Sequence, residues 1–127
     1  MIKNFLIINC IGRDDKLGLR VNKDFFTYKF SKEKNNSEKL VIEILNLLNK
    51  HKVKLDKYFS VIVNQGPGSF TGIRTSLAVA KGLEISRKIK LYGYKNADLK
   101  VFDQKNIERL LIENLVEKNL IKPIYLR

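Results

Sequence analysis

The stretch NQGPGSFTGIRTSLAVAKGLE, residues 64–84, concentrates the residue types that could do chemistry. Gly66, Pro67, Gly68, Ser69, Phe70, Thr71 and Gly72 form a glycine-rich turn that runs straight into a helical pattern. Such a turn presents N–H groups at the positive end of a helix dipole, which is the physics of anion binding. A P-loop also needs Gly-Lys-[Ser/Thr] for the outer phosphates and magnesium, whereas Gly72 is followed by Ile73 and Arg74. Nor is this the Gly-x-Gly-x-x-Gly dinucleotide fingerprint, because the three glycines are wrongly spaced and no acidic residue is suitably placed after a following strand. Two readings stand: a phosphate cradle, or a tight corner that aims the helix behind it.

No catalytic constellation accompanies the turn. His51 follows a long helix among lysines, where surface exposure or compensation of the helix dipole is expected. Asp14-Asp15 falls in a hairpin turn without further ligands, so no metal site is expected. Ser69 and Thr71 lack a neighbouring base and read as helix caps. Cys10, the only cysteine, closes an apolar run and is expected to be a buried, inert thiol; no internal disulfide can form, which suits a reducing compartment. Arg74 reads as a solvated charge or as an ion-pair donor to a partner.

The helix behind the turn, residues 71–87, places Thr75, Ala78, Val79, Gly82 and Ser86 on one side, a flat face of small residues. Glycine inside a helix costs about 1 kcal/mol relative to alanine, so close approach of another backbone is the natural reason for Gly82. Ile73, Leu77, Ala80 and Leu83 are expected to face the core. An earlier helix, capped by Ser37 and ending at Lys50, carries Leu40, Val41, Ile44, Leu45, Leu47 and Leu48 over an arc of roughly 160°, wider than the stripe a surface helix needs. That excess predicts a second contact besides its own sheet, and Leu40, Ile44 and Leu47 are expected to reach a partner together with Arg74 and the small-residue face.

These helices sit among five predicted strands. Residues 4–10 are apolar on both faces, as in a central strand; residues 17–22 and 25–30 continue as an antiparallel meander. Residues 58–63 and 89–94 follow the two helices as parallel additions. Residues 97–104 give no clear pattern, and residues 106–119 predict an amphipathic helix with Ile107, Leu110, Leu111 and Leu115 on its stripe, ended before Pro123 and an extended tail. The expected architecture is a single α/β domain over residues 1–127, a five-stranded mixed sheet with helices, laid out as one actin-like (ribonuclease H-like) lobe plus a C-terminal helix.

Hydrophobic residues make up 44% of the 127 and charged residues 30%, a soluble globular balance that excludes disorder. The net charge of +12 invites a nucleic-acid assignment, but the lysines are scattered through every segment without an Arg-rich run, so a solvated basic surface is expected. The apolar run near the start is shorter than a signal peptide needs and no segment approaches a membrane span, which places the chain in the cytoplasm.

The run GPGSFTGIRTSLAVAKGLE resembles the signature of the bacterial TsaB (YeaZ) family, Gly-Pro-Gly-Ser-Phe-Thr-Gly-[Leu/Val/Ile]-Arg followed by an Ala-Lys/Gln-Gly-Leu helix. NNSEKLVIEILNLL resembles the family's His-Ser-x-x-Leu helix start with Asn36 in place of His, and IKPIYLR resembles its Pro-x-Tyr-Leu-Arg end. The resemblance implies the actin-like ATPase superfold and a part in making threonylcarbamoyladenosine beside the anticodon of tRNAs reading ANN codons. It implies a non-catalytic partner of a TsaD-like enzyme, a heterodimer joined helix to helix. A TsaE-like ATPase is the third component and TsaC supplies the adenylate donor. ATP and metal then belong to the partner proteins, this chain binds none alone, tRNA is met indirectly with Arg74 facing TsaD or tRNA, and the isolated chain could self-associate. Two departures are visible. Ile8-Asn9-Cys10 stands where the family commonly has Ile-Asp-Thr, so the charge that organises metal and phosphate in active members is missing, and the family's second lobe has no counterpart. Two alternatives remain: a small nucleotide-binding enzyme using residues 66–72, and a basic tRNA-binding accessory.

Overall fold

The computed structural model describes residues 3–31, 36–118 and 121–124. The side chain of Ser37, with its expected capping role, and the last three residues of the tail motif lie outside the described residues.

Strand β1 (Asn4–Asn9) is apolar at successive positions because both of its faces are covered. Leu6 and Ile8 enter one core, Phe5 and Ile7 another on the opposite face, the period-two alternation of a pleated strand. β2 (Lys16–Val21) pairs with β1 antiparallel and β3 (Asp24–Lys29) with β2. Asn22 and Lys23 make the two-residue turn between β2 and β3, and both take positive φ, as a turn matching the twist of a hairpin demands. β4 (Phe59–Asn64) is buried along its whole length and lies parallel to β1; β5 (Lys90–Tyr94) lies parallel to β4. The sheet order is β3-β2-β1-β4-β5, the five-stranded mixed sheet expected.

Helix α1 (Asn36–Lys50) joins β3 to β4, and α2 (Phe70–Arg87) joins β4 to β5. Both lie on one face, where Leu40, Ile44 and Leu48 of α1 and Ile73, Leu77 and Ala80 of α2 close over Leu6, Ile8 and Val61. The other face is covered by α3 (Gln104–Ile112), whose Ile107 and Leu110 pack on Phe5, Ile7, Ile62 and Tyr94. Asp103 caps α3 by accepting from Asn106 N–H at 2.8 Å. The unpatterned stretch after β5 is a single 3-10 turn, Asn96–Asp98, followed by a loop that buries Leu99.

The C-terminal helix is shorter than its sequence pattern. It ends at Ile112 instead of near residue 119, because Asn114 takes the left-handed conformation (φ 57°). Asn114 N–H then bonds Leu111 O at 3.2 Å and Leu115 N–H bonds Leu110 O at 3.0 Å, the pair of bonds that closes a helix in a Schellman motif. Leu115, expected on the apolar stripe, is accordingly exposed. Beyond it, Glu117 pairs with Gly93 through both backbone bonds, 2.7 and 2.9 Å, and so shields the β5 edge. Val116 packs with the α3-side core and Ile121 with the α1/α2-side core, so this segment straps round the sheet edge.

Candidate helix interface and signature turn

The signature turn is fastened at both ends to the rest of the lobe. Asn64 Oδ1 accepts from Gly66 N–H at 2.8 Å, and Gly66 O accepts from Asn96 N–H at 2.9 Å. Gln65 N–H donates to Tyr94 O at 2.8 Å, and Ile124 N–H donates to Gln65 O at 2.7 Å. Ser69 N–H donates to Ile11 O at 2.7 Å, while the Ser69 hydroxyl caps α2 by accepting from Gly72 N–H at 3.4 Å. Thr71 lies exposed in the first turn, so of the two expected caps Ser69 does the capping.

Close approach explains the glycines. A Cβ on Gly72 would sit 2.5 Å from Cys10 O, and one on Gly68 would sit 2.6 Å from Ile11 Cβ. At Gly66, which takes φ 103°, an added Cβ would strike Ile124 O and the Ile73 side chain. Behind this, Asp15 accepts from Ile11 N–H at 3.0 Å and Gly12 N–H at 2.9 Å, which folds the β1–β2 connection into a shelf for the turn. The buried Cys10 thiol faces Asp15 Oδ2 at 3.6 Å; burial first, then the Asp15 charge, pushes its pKa up to about 12, so it is no nucleophile at neutral pH.

Three amides of the turn are used within the chain, Gly66 N–H by Asn64 Oδ1, Ser69 N–H by Ile11 O and Gly72 N–H by the Ser69 hydroxyl. At Gly66, Gly68 and Gly72 the space a Cβ would enter is filled by the chain's own backbone and side chains. Asn9 accepts from Asn64 Nδ2 at 2.7 Å, and the same Asn64 amide donates to Asn96 Oδ1 at 3.1 Å. Tyr94 hydroxyl adds a longer bond to Asn9 at 3.5 Å; its complete burial holds it well above the ordinary tyrosine pKa. Asn64 thus bridges Asn9 at the end of β1 and Asn96 just beyond β5. Among the described residues no cluster of three His, Cys, Asp or Glu side chains could hold a metal ion.

On α2 the small-residue face is open. Ala78, Gly82 and Ser86 are exposed, Thr75 and Val79 partly so, and a Cβ on Gly82 would meet nothing within 4 Å. No close approach among the described residues therefore accounts for Gly82. Arg74 is exposed and lies over the Phe70 ring at 4.8 Å. Leu77 and Ala80 face the core as expected, with Ser76 beside them, its hydroxyl bonded to Gly72 O at 2.7 Å.

On α1 the expected partner residues need correction. Leu40, Ile44 and Leu47 are buried in this lobe's own core and have no surface to offer. The apolar surface of α1 belongs to Val41 (46% exposed), Ile42 (59%) and Leu45 (47%). With Phe70 (54%) and Ile85 (73%) of α2, they concentrate exposed large apolar side chains on the two neighbouring helices. The signal was the width of the apolar arc, which called for two contacts; only packing could decide which residues served which. His51 is not simply solvated either, since its ring stacks on Phe26 with centroids 3.8 Å apart.

Comparison with known proteins places these features. The family model described as TsaD, tRNA N6-adenosine threonylcarbamoyltransferase, matches residues 31–106, the span from α1 through the signature turn to the start of α3. The tRNA threonylcarbamoyladenosine biosynthesis protein TsaB of Buchnera aphidicola subsp. Schizaphis graminum is 33% identical over 81 residues, 62% of this chain and 39% of that protein. TsaB of Buchnera aphidicola subsp. Baizongia pistaciae is 37% identical over 60 residues, 46% of this chain and 27% of that protein. The chain thus spans less than half the length of these curated relatives. YeaZ from Pseudomonas aeruginosa superposes with a TM-score of 0.68 at 19% identity, over 88% of this chain and 50% of that one, which shows the actin-like, ribonuclease H-like fold.

Proposed function

The chain belongs to the family described by the tRNA N6-adenosine threonylcarbamoyltransferase model, as a TsaB/YeaZ-type member, and on that footing we propose that it acts in tRNA threonylcarbamoyladenosine biosynthesis as a non-catalytic partner. The outer faces of α1 and α2 pack against the equivalent helices of a TsaD-like enzyme and hold that enzyme in its active form. The observation that carries this is the small-residue face of α2, left uncovered by the described residues with Gly82 open, together with the exposed Val41 and Leu45 of the neighbouring α1. A glycine that costs helix stability and has no neighbour at its Cβ position among the described residues is explained by a backbone arriving from outside.

The modification falls on tRNAs reading ANN codons, in the cytoplasm, with ATP and metal bound by the TsaD-like enzyme and a TsaE-like ATPase. Among the described residues no helix is long and apolar enough to cross a membrane. In isolation the same helices are available for self-association. The nucleotide-enzyme alternative is disfavoured because the Gly66, Ser69 and Gly72 amides already donate within the chain. The tRNA-accessory alternative rests on the charge of +12, and in the complex that charge serves an indirect contact with tRNA.

Reconstitution tests the proposal. Threonylcarbamoyladenosine formed on tRNA by the TsaD-like, TsaE-like and TsaC-like proteins should depend on this chain and fall to background when Ala78→Trp replaces it. Full modification without the chain would refute the role.

A further inference from the structure

We propose that Arg74, held over the Phe70 ring, is the docking cation of the α2 face, and that the protein surface it receives presents a carboxylate to it. The proposal rests on the partner role and specifies the partner's chemistry. Three observations converge. The guanidinium carbon sits 4.8 Å from the centre of the Phe70 ring, one helical turn back, while both side chains remain exposed. The cation–π contact restrains the arginine side chain, so less of its freedom is lost when an acceptor arrives. The second observation is the lack of an acid. Positions three and four residues from Arg74 are Phe70, Thr71, Leu77 and Ala78, and among the described residues Arg74 makes no ion pair. An i, i+4 acid is the ordinary way to use a helix arginine, and this helix does not supply one.

The third observation is the charge pattern. Arg74, Lys81 and the capping Lys88 follow Phe70 along one flank of α2 and are exposed, bordering Ala78, Gly82 and Ile85. A smooth, weakly apolar strip edged by cations is an interface centre with a polar rim on one side. Charge complementarity then assigns the occupant: a helix with small or apolar residues at its centre and an acidic flank, whose carboxylate pairs with Arg74 in the bidentate geometry that arginine favours. The chain's own charge of +12 would steer such an acidic surface toward it.

The test measures affinity for the TsaD-like protein of the same source by calorimetry, using Arg74→Gln, Arg74→Lys and, as the control for the face itself, Ala78→Trp. Filter binding of unmodified tRNA to the isolated chain runs in parallel. Arg74→Gln is expected to weaken partner binding roughly thirty-fold or more, since a desolvated acceptor loses its donor, with Arg74→Lys recovering part of the loss and tRNA binding unchanged. If Arg74→Gln binds like the parent while Ala78→Trp does not bind, Arg74 is idle and this inference falls while the partner role stands. If both variants bind like the parent, both fall. If Arg74→Gln loses tRNA affinity and keeps the partner, the cation serves RNA phosphate and the inference is overturned. Arg74 is exposed, so circular dichroism of each variant should match the parent.

Discussion

Gly72 and Gly82 lie ten residues apart on one helix and are glycine for opposite reasons. At Gly72 a methyl would strike the Cys10 carbonyl, 2.5 Å away, a backbone atom that cannot yield cheaply. Gly72→Ala should lower unfolding stability by about 1–3 kcal/mol, read from the urea midpoint. At Gly82 a methyl enters empty space, so Gly82→Ala should raise the stability of the isolated chain by about 1 kcal/mol. The two outcomes together separate a corner glycine from a contact glycine. Cys10 gives a pH test. Its thiol titrates near 9.0 when unfolded and is pushed up to about 12 by burial and by Asp15. The folded state then holds the proton more tightly, and stability contributed by Cys10 is full below pH 9 and lost as pH rises toward 12, at up to about 1.4 kcal/mol per pH unit. Urea melts across pH 8–11 should show a steeper decline for the parent than for Cys10→Ala; parallel declines would contradict that environment. The burial of Cys10 was legible from its apolar run, whereas its Asp15 neighbour was not, because the turn that brings them together is set by hydrogen bonds to Ile11 and Gly12.

At the scale of elements, patterns that close locally were readable and those that close at a distance were not. β1 declared its central position by being apolar on both faces, and the β2–β3 turn by its short polar break. α1 announced two contacts through its wide apolar arc, yet Leu40, Ile44 and Leu47 face the sheet while Val41 and Leu45 face outward; residues adjacent on a helical wheel are separated only by where the sheet lies. α3 stopped short of its periodic pattern because Asn114 turns left-handed and Glu117 finds a hydrogen-bonding partner in Gly93, twenty-four residues back. Asparagine at that position was the available signal. Asn114→Val should cost about 1–2 kcal/mol, since a β-branched residue resists positive φ, while Asn114→Gly should cost nothing or stabilise. Equal losses for both variants would mean that the Asn114 side chain, and not its backbone conformation, ends the helix.

For the molecule as a whole, the Asn9–Asn64–Asn96 bridge, the shelf around Asp15 and the C-terminal strap all converge on the signature turn and fasten it. Rigid fastening at the start of α2 fixes which way its outer face looks, and that face, with the exposed apolar residues of α1, is surface the lobe does not cover by itself. The sheet and the signature were legible in the sequence because both are written in contiguous residues. The purpose of the glycines became visible only with the neighbours in place: three of them are filled corners and one is open. The most direct measurement is a calorimetric titration of this chain into the TsaD-like protein, parent against Ala78→Trp. One-to-one binding by the parent, abolished in the variant without loss of fold, is the predicted result. Undiminished binding by Ala78→Trp would contradict the account, because the α2 face would then not be where the two proteins meet.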